Sequence, residues 1–193
     1  AGRAPPSPPP YFKGVARLSW TGDGSKGHLA TGVSAKLSSM PIHSLSWEAF
    51  ASGLDDEAVI IAAMKWLCGN DDHIVVERTK SFHGSLIHII SAEITQRGNA
   101  RRALSNIGEK ILREIISGLN DRLDDENCVH FRLRLADLAC ARIVLAKPGE
   151  HRAVKGKVEL RVYPGNKTTE VAEILFSEAI DRADRMGFPQ AVS

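Results

Sequence analysis

Two stretches near the end of the chain alternate strictly in polarity, and they constrain the fold more than any other feature. In residues 128–135, Val129, Phe131, Leu133 and Leu135 fall on one side of an extended chain, and His130, Arg132 and Arg134 on the other. Successive side chains of a β-strand point to opposite faces. In residues 154–163, Val154, Val158, Leu160 and Val162 take one side while Lys155, Lys157, Arg161 and Tyr163 take the other. Such strands need a core beneath them and water above. A parallel sheet covered on both faces would read as apolar throughout, so an open sheet backed by helices is expected.

The remaining periodicities fit that frame. Residues 42–50 alternate as a strand. Asp55, Asp56 and Glu57 then place carboxylates where a helix N-terminus favours them. Val59, Ile60, Ala63 and Leu67 make one helical stripe, which stops at Gly69. Residues 73–82 and 85–94 are β-rich runs joined at His83 and Gly84. Over residues 99–119, Ala100, Leu104, Ile107, Ile111, Ile115 and Leu119 recur every three or four positions. That spacing predicts one long helix capped by Asn99. Residues 137–146 predict a helical turn or a further strand. Pro164, Gly165 and Asn166 are turn residues, followed by a last helix capped by Thr169 and ending at Gly187. The expected fold class is α+β: a mixed, largely antiparallel sheet with helices packed on one face, in the order β-α-β-β-α-β-(β)-β-α.

Residues 1–39 differ from all of this. Five of the nine prolines lie within residues 5–10, and Gly, Ser and Thr dominate residues 21–39. Such a proline run favours polyproline II over a packed element. The expectation is a flexible Pro/Gly/Ser-rich N-terminal extension, a native start at Met40, and a single domain over residues 40–193. The alternative is an added strand over residues 14–20. Residues 22–27 lack the spacing of a phosphate-binding loop.

The formal net charge is only +2, but basic residues cluster. Residues 73–163 hold 16 Lys and Arg against 11 Asp and Glu, and clustered charge is what a polyanion binder needs. If the two late strands share a sheet, Arg132, Arg134, Lys155, Lys157 and Arg161 form a positive platform, with the Tyr163 ring at its edge for a base. The bland alternative is a solvated face of ordinary Lys and Arg. Arg101 and Arg102, at the start of the predicted long helix, oppose its dipole; with Lys80 they are further candidates for phosphate contact. The partner implied is RNA, held mainly through phosphates and selected by shape.

Signals for catalysis are absent from the motifs. Cys68, Cys128 and Cys140 are odd in number and irregular in spacing, which fits reduced thiols rather than disulfides or a metal site. His83 and His88 belong to no metal motif, and the paired carboxylates sit at helix ends or turns. The chain therefore reads as a non-catalytic binder with no cofactor and no metal. Two other readings stay open. A protein-interaction or homodimerisation module would carry an apolar patch around Trp47, Phe50 and Trp66. An enzyme acting on nucleotides would gather His83, His88 and a carboxylate in a pocket. No apolar run approaches the roughly 20 residues of a membrane span, and no secretory leader is visible; the cytoplasm is the expected compartment.

Residues 42–165 also carry a family resemblance. Its pieces are Ile42-His43-Ser44-Leu45-Ser46-Trp47-Glu48-Ala49-Phe50, then Asp55-Asp56-Glu57-Ala58-Val59 opening a helix that ends in Trp66-Leu67-Cys68-Gly69. Ser81-Phe82-His83-Gly84, His130-Phe131-Arg132-Leu133-Arg134-Leu135 and Val162-Tyr163-Pro164-Gly165 complete it. In these the chain resembles archaeal RNA-binding proteins described as exosome-subunit-like. The resemblance implies a fold like that of the ribosomal protein that holds 5S RNA, an archaeal cytoplasmic setting, and RNA as partner. It also implies a place in RNA processing or degradation beside exosome or ribosome components. The chain departs from the family at Gly84-Ser85-Leu86, where Gly-Asn-Pro is common, and at Leu135-Ala136-Asp137-Leu138, where Leu-Asp-Lys-Gln is common.

Overall fold

The computed structural model describes residues 41–69 and 74–187; the expectations for residues 1–39 lie outside them. The first strand, β1 (Ile42–Ser52), leads into α1 (Glu57–Cys68), and β2 (Ile74–Lys80) turns back as β3 (Leu86–Ile94). Three helices follow, α2 (Arg97–Ser105), α3 (Glu109–Ser117) and the single turn α4 (Leu119–Arg122). The chain then runs through β4 (Cys128–Arg134), α5 (Leu135–Ala139), β5 (Ala153–Leu160) and α6 (Thr168–Met186). The five strands form one sheet in the order β2-β3-β1-β5-β4, and every neighbouring pair is antiparallel. This is the expected α+β architecture.

Alternation decides which face is buried. On β1, Leu45, Trp47, Ala49 and Ala51 are sealed, together with Ile90, Ala92 and Ile94 of β3. Val154 and Val158 of β5 and Val129, Phe131 and Leu133 of β4 continue the same floor. Helices α1, α2 and α6 pack on it, and α3 packs on α6. They contribute Ile60, Met64 and Leu67 from α1, Leu104 from α2, Ile111, Leu112 and Ile115 from α3, and Leu175, Phe176 and Ile180 from α6. Trp47 is central, edge-on to Phe131 with ring centroids 5.4 Å apart. The opposite position on β5 must be glycine, because a Cβ on Gly156 would lie 2.7 Å from both of these rings.

The start of α1 is as the sequence predicts: the Asp56 carboxylate accepts from the N–H groups of Ala58 and Val59. Gly69 closes the helix at φ 70°, a conformation open to glycine at little cost. The single long helix expected over residues 99–119 is instead broken. Gly108 adopts φ 88° between α2 and α3, and Asn106, buried at the break, donates from Nδ2 to the Leu67 carbonyl at 3.3 Å. Asn99 is therefore inside α2, where its Nδ2 donates to Gln96 Oε1 at 2.9 Å, and not its cap. Thr169 is not a cap either. Helix α6 begins at Thr168, whose hydroxyl donates to Asn127 Oδ1 at 2.6 Å.

The optional element after β4 is helical, α5, and only a bridge between Leu133 and Leu145 continues the ladder. There the Arg134 N–H donates to the Val144 carbonyl at 2.9 Å and the Ala146 N–H to the Arg132 carbonyl at 2.8 Å. At its other end the outer edge of β4 meets Leu123, which bridges to Val129. Among the described residues, no helix is long and apolar enough to cross a membrane.

Candidate functional site

The face of the sheet away from the helices is open, and register fixes what stands on it. Side chains paired directly across an antiparallel ladder share a face. One row runs Arg132, Lys155, Glu48, Ser91, Val75 across all five strands. The next towards the start of β4 runs His130, Lys157, Ser46, Glu93. On the other side lie Arg134 opposite Ala153 and, further along, Phe50, Ile89 and Glu77. Cations thus collect on the β4–β5 half. The β1–β3–β2 half carries Phe50, Val75 and the half-buried Ile87 and Ile89, with Glu48, Glu77 and Glu93.

The cations differ in how they are held. Lys155 Nζ lies 2.7 Å from Glu48 Oε1 and 4.6 Å from the centre of the Phe50 ring. Arg134 is gripped by Glu150 Oε1 at 2.8 Å and Asp137 Oδ2 at 3.0 Å, and Glu150 above all holds its guanidinium pKa above the ordinary value. Asp137 is shared with Arg142. The Lys157 ammonium is also held above its usual value, by Cys128 first and then by Glu126 and Asp124. His130 Nε2 lies 2.6 Å from Asp124 Oδ2, the largest cause of the lowered Asp124 pKa. Arg132, exposed in the middle of the group, has no ion pair among the described residues.

Four of the sequence candidates, Arg132, Arg134, Lys155 and Lys157, are therefore brought together. The others are not. Arg161 and Tyr163 lie beyond the end of β5, the guanidinium 5.3 Å from the ring centre. Lys80 ends β2, the opposite edge of the sheet. Arg101 and Arg102 belong to the helix layer on the far side, where Arg101 pairs with Glu178. Sequence reasoning passed over Phe50 as a site residue. The signal was present: in β1 it is the one large apolar side chain on the stripe of Ser44, Ser46, Glu48 and Ser52.

Trp47 and Trp66 are buried and Phe50 is exposed on the other face, so these three make no common surface patch. His83 is exposed in the β2–β3 turn against Phe82. His88 is buried, its Nδ1 2.6 Å from Glu57 Oε2. Asp124, Glu126 and Cys128 bring ligand-type atoms within 4.8 Å of one another at the start of β4, but Asp124 already accepts from the N–H groups of Glu126 and Cys128.

Comparison with known proteins gives the family and the fold. The model of a family described as RNA binding matches residues 44–160, which contain the whole β4–β5 platform. No curated protein matches the chain. Among solved structures, a DUF54 protein from Methanothermobacter thermautotrophicus is similar at 20% identity and a TM-score of 0.57, covering 72% of this chain and 98% of its own. A DUF54 protein from Archaeglobus fulgidus is similar at 22% identity and a TM-score of 0.59, covering 72% and 99%. One from Sulfolobus solfataricus is similar at 15% and 0.54, covering 70% and 98%. At these identities the likeness is one of fold.

Proposed function

The chain belongs to the RNA-binding family, and from that premise we propose that it holds a strand of RNA against the β4–β5 half of the open sheet. Phosphates face Arg132, Lys157, Lys155 and Arg134, and a base lies on Phe50. The observation that carries this reading is Arg132: exposed, without a carboxylate partner among the described residues, and flanked in register by Lys155. The carboxylates beside Lys155 and Arg134 do not forbid it. Exposed ion pairs contribute about 0–1 kcal/mol, so a phosphate can replace Glu48 or Glu150. Aromatic stacking accepts any base, and the scarcity of base-reading side chains on this half leaves selection to the shape of the RNA. The protein acts as a non-catalytic binder, presenting RNA to the machinery that processes or degrades it.

A salt titration tests this. For a single strand, log K falls with log salt by about 0.7 per phosphate neutralised. Four contacts give a slope of about −3, and Arg132→Ala with Lys157→Ala brings it to about −1.5. The same slope in the double variant overturns the site. Labelled RNA should be recovered intact after incubation with Mg²⁺; shortened RNA overturns the non-catalytic reading.

A further inference from the structure

A second concentration of positive charge lies on the helix layer, away from the sheet platform. Arg101 of α2 forms an ion pair with Glu178 of α6, which fixes these two helices side by side. Arg182 follows Glu178 by four residues and Arg185 by seven, so all three share one stripe of α6. Arg102 is next to Arg101 on α2, and Arg97 is one turn before Arg101. Of the other acids of α6, Asp181 stands four residues before Arg185 on the same stripe. Asp184 faces Glu109 of α3, where burial first and Glu109 second raise its pKa. Glu178 is the one carboxylate paired with this group among the described residues.

The arrangement is unfavourable by itself. Burial first, and then the positive charges of Arg101, Arg102 and Arg185, lower the pKa of Arg182. Arg97 and Arg101 stand in the first turns of α2, with no acid there, against the helix dipole. The Arg101–Glu178 ion pair and the place of Arg185 in the last turn of α6 work the other way, and an anion bound here would relieve the repulsion further.

We propose that Arg101, Arg102, Arg182 and Arg185 form a second phosphate site, which takes a separate segment of RNA on the opposite side of the domain from the sheet platform. The class of ligand rests on the RNA-binding reading above. Guanidiniums suit it, since their planar forks grip phosphate oxygens in pairs. The helix layer, about 10 Å thick, lies between the two surfaces. A short strand therefore occupies one surface or the other, and a long RNA must pass round the edge of the sheet to reach both.

The test uses a six-nucleotide oligouridylate titrated calorimetrically into the wild-type chain and into two double variants. Arg182→Gln with Arg185→Gln keeps the side-chain stems and removes the charge; Arg132→Ala with Lys157→Ala removes the platform. Two oligonucleotides should bind the wild type and one should bind each variant. Binding unchanged by the α6 substitutions overturns the second site and leaves the platform intact. One oligonucleotide on the wild type, lost only with the α6 substitutions, overturns the platform and keeps the second site. A thermal readout separates charge from mere structure: with like charges relieved, Arg182→Gln should raise Tm by about 2–4 °C at low salt, and by less at high salt. A fall in Tm at low salt would mean that Arg182 serves packing, and the proposal would fail.

Discussion

Trp47 and Phe50 stand three residues apart on β1 and report on opposite faces of one sheet. Trp47 is 1% exposed, held edge-on to Phe131 over Gly156. Phe50 is 44% exposed and touches a lysine. The covered face is determined by shape, so each side chain there is constrained by volume. The open face is determined by charge, and its side chains have alternatives. Stability and the proposed ligand contacts thus fall to alternate residues of the same strands.

The widest separation between the two faces should come from truncating those two rings. Trp47→Ala should lower the urea unfolding free energy by about 3–5 kcal/mol. Phe50→Ala should leave that quantity within about 1 kcal/mol while weakening RNA binding by about 1–3 kcal/mol. Comparable unfolding losses in both variants would dissolve the division of labour between the faces. Gly156→Ala sharpens it next. The added methyl meets two ring edges at 2.7 Å, and such overpacking costs typically about 1–3 kcal/mol; a neutral result would show that the floor under the sheet is slack.

The smallest effect concerns the rim of the covered face, where Glu57 meets Arg78 and His88. The hydrogen bond from Arg78 holds the Glu57 carboxyl below its ordinary value of 4.5. A carboxylate lowered on folding adds stability above that pH, and loses it as pH falls through the folded value. Arg78→Met should therefore cost stability at pH 7 and converge with the wild type in acid. A constant gap down to the lowest pH would remove Glu57 from the acid limb.

The covered face was legible in the sequence because alternation and helical stripes are local. Leu45, Trp47, Val129, Phe131 and Val158 announce their side by position alone. The break between α2 and α3 was not, since Leu104, Ile107, Ile111 and Ile115 keep a helical spacing across it. Both pieces face the same core, and only Gly108 marks the interruption. On the open face, Arg132 and Lys155 were foreseeable as neighbours. Their unequal pairing was not, because Glu150 reaches Arg134 from the loop before β5 and Glu48 reaches Lys155 from the central strand. Nor could spacing bring Arg182 beside Arg101, which only the packing of α2 on α6 achieves.

The bridges at the two ends of β4 have an implication for how anything docks there. An outermost strand usually offers unpaired amides and carbonyls as a template for a further strand, which invites fibril growth as well as binding. Here Leu123 at one end and Val144, Leu145 and Ala146 at the other occupy much of that template. A molecule that approaches from this side therefore meets guanidinium and ammonium groups rather than a free main-chain ladder. Extended polypeptides are discouraged, and flexible polyanions are not.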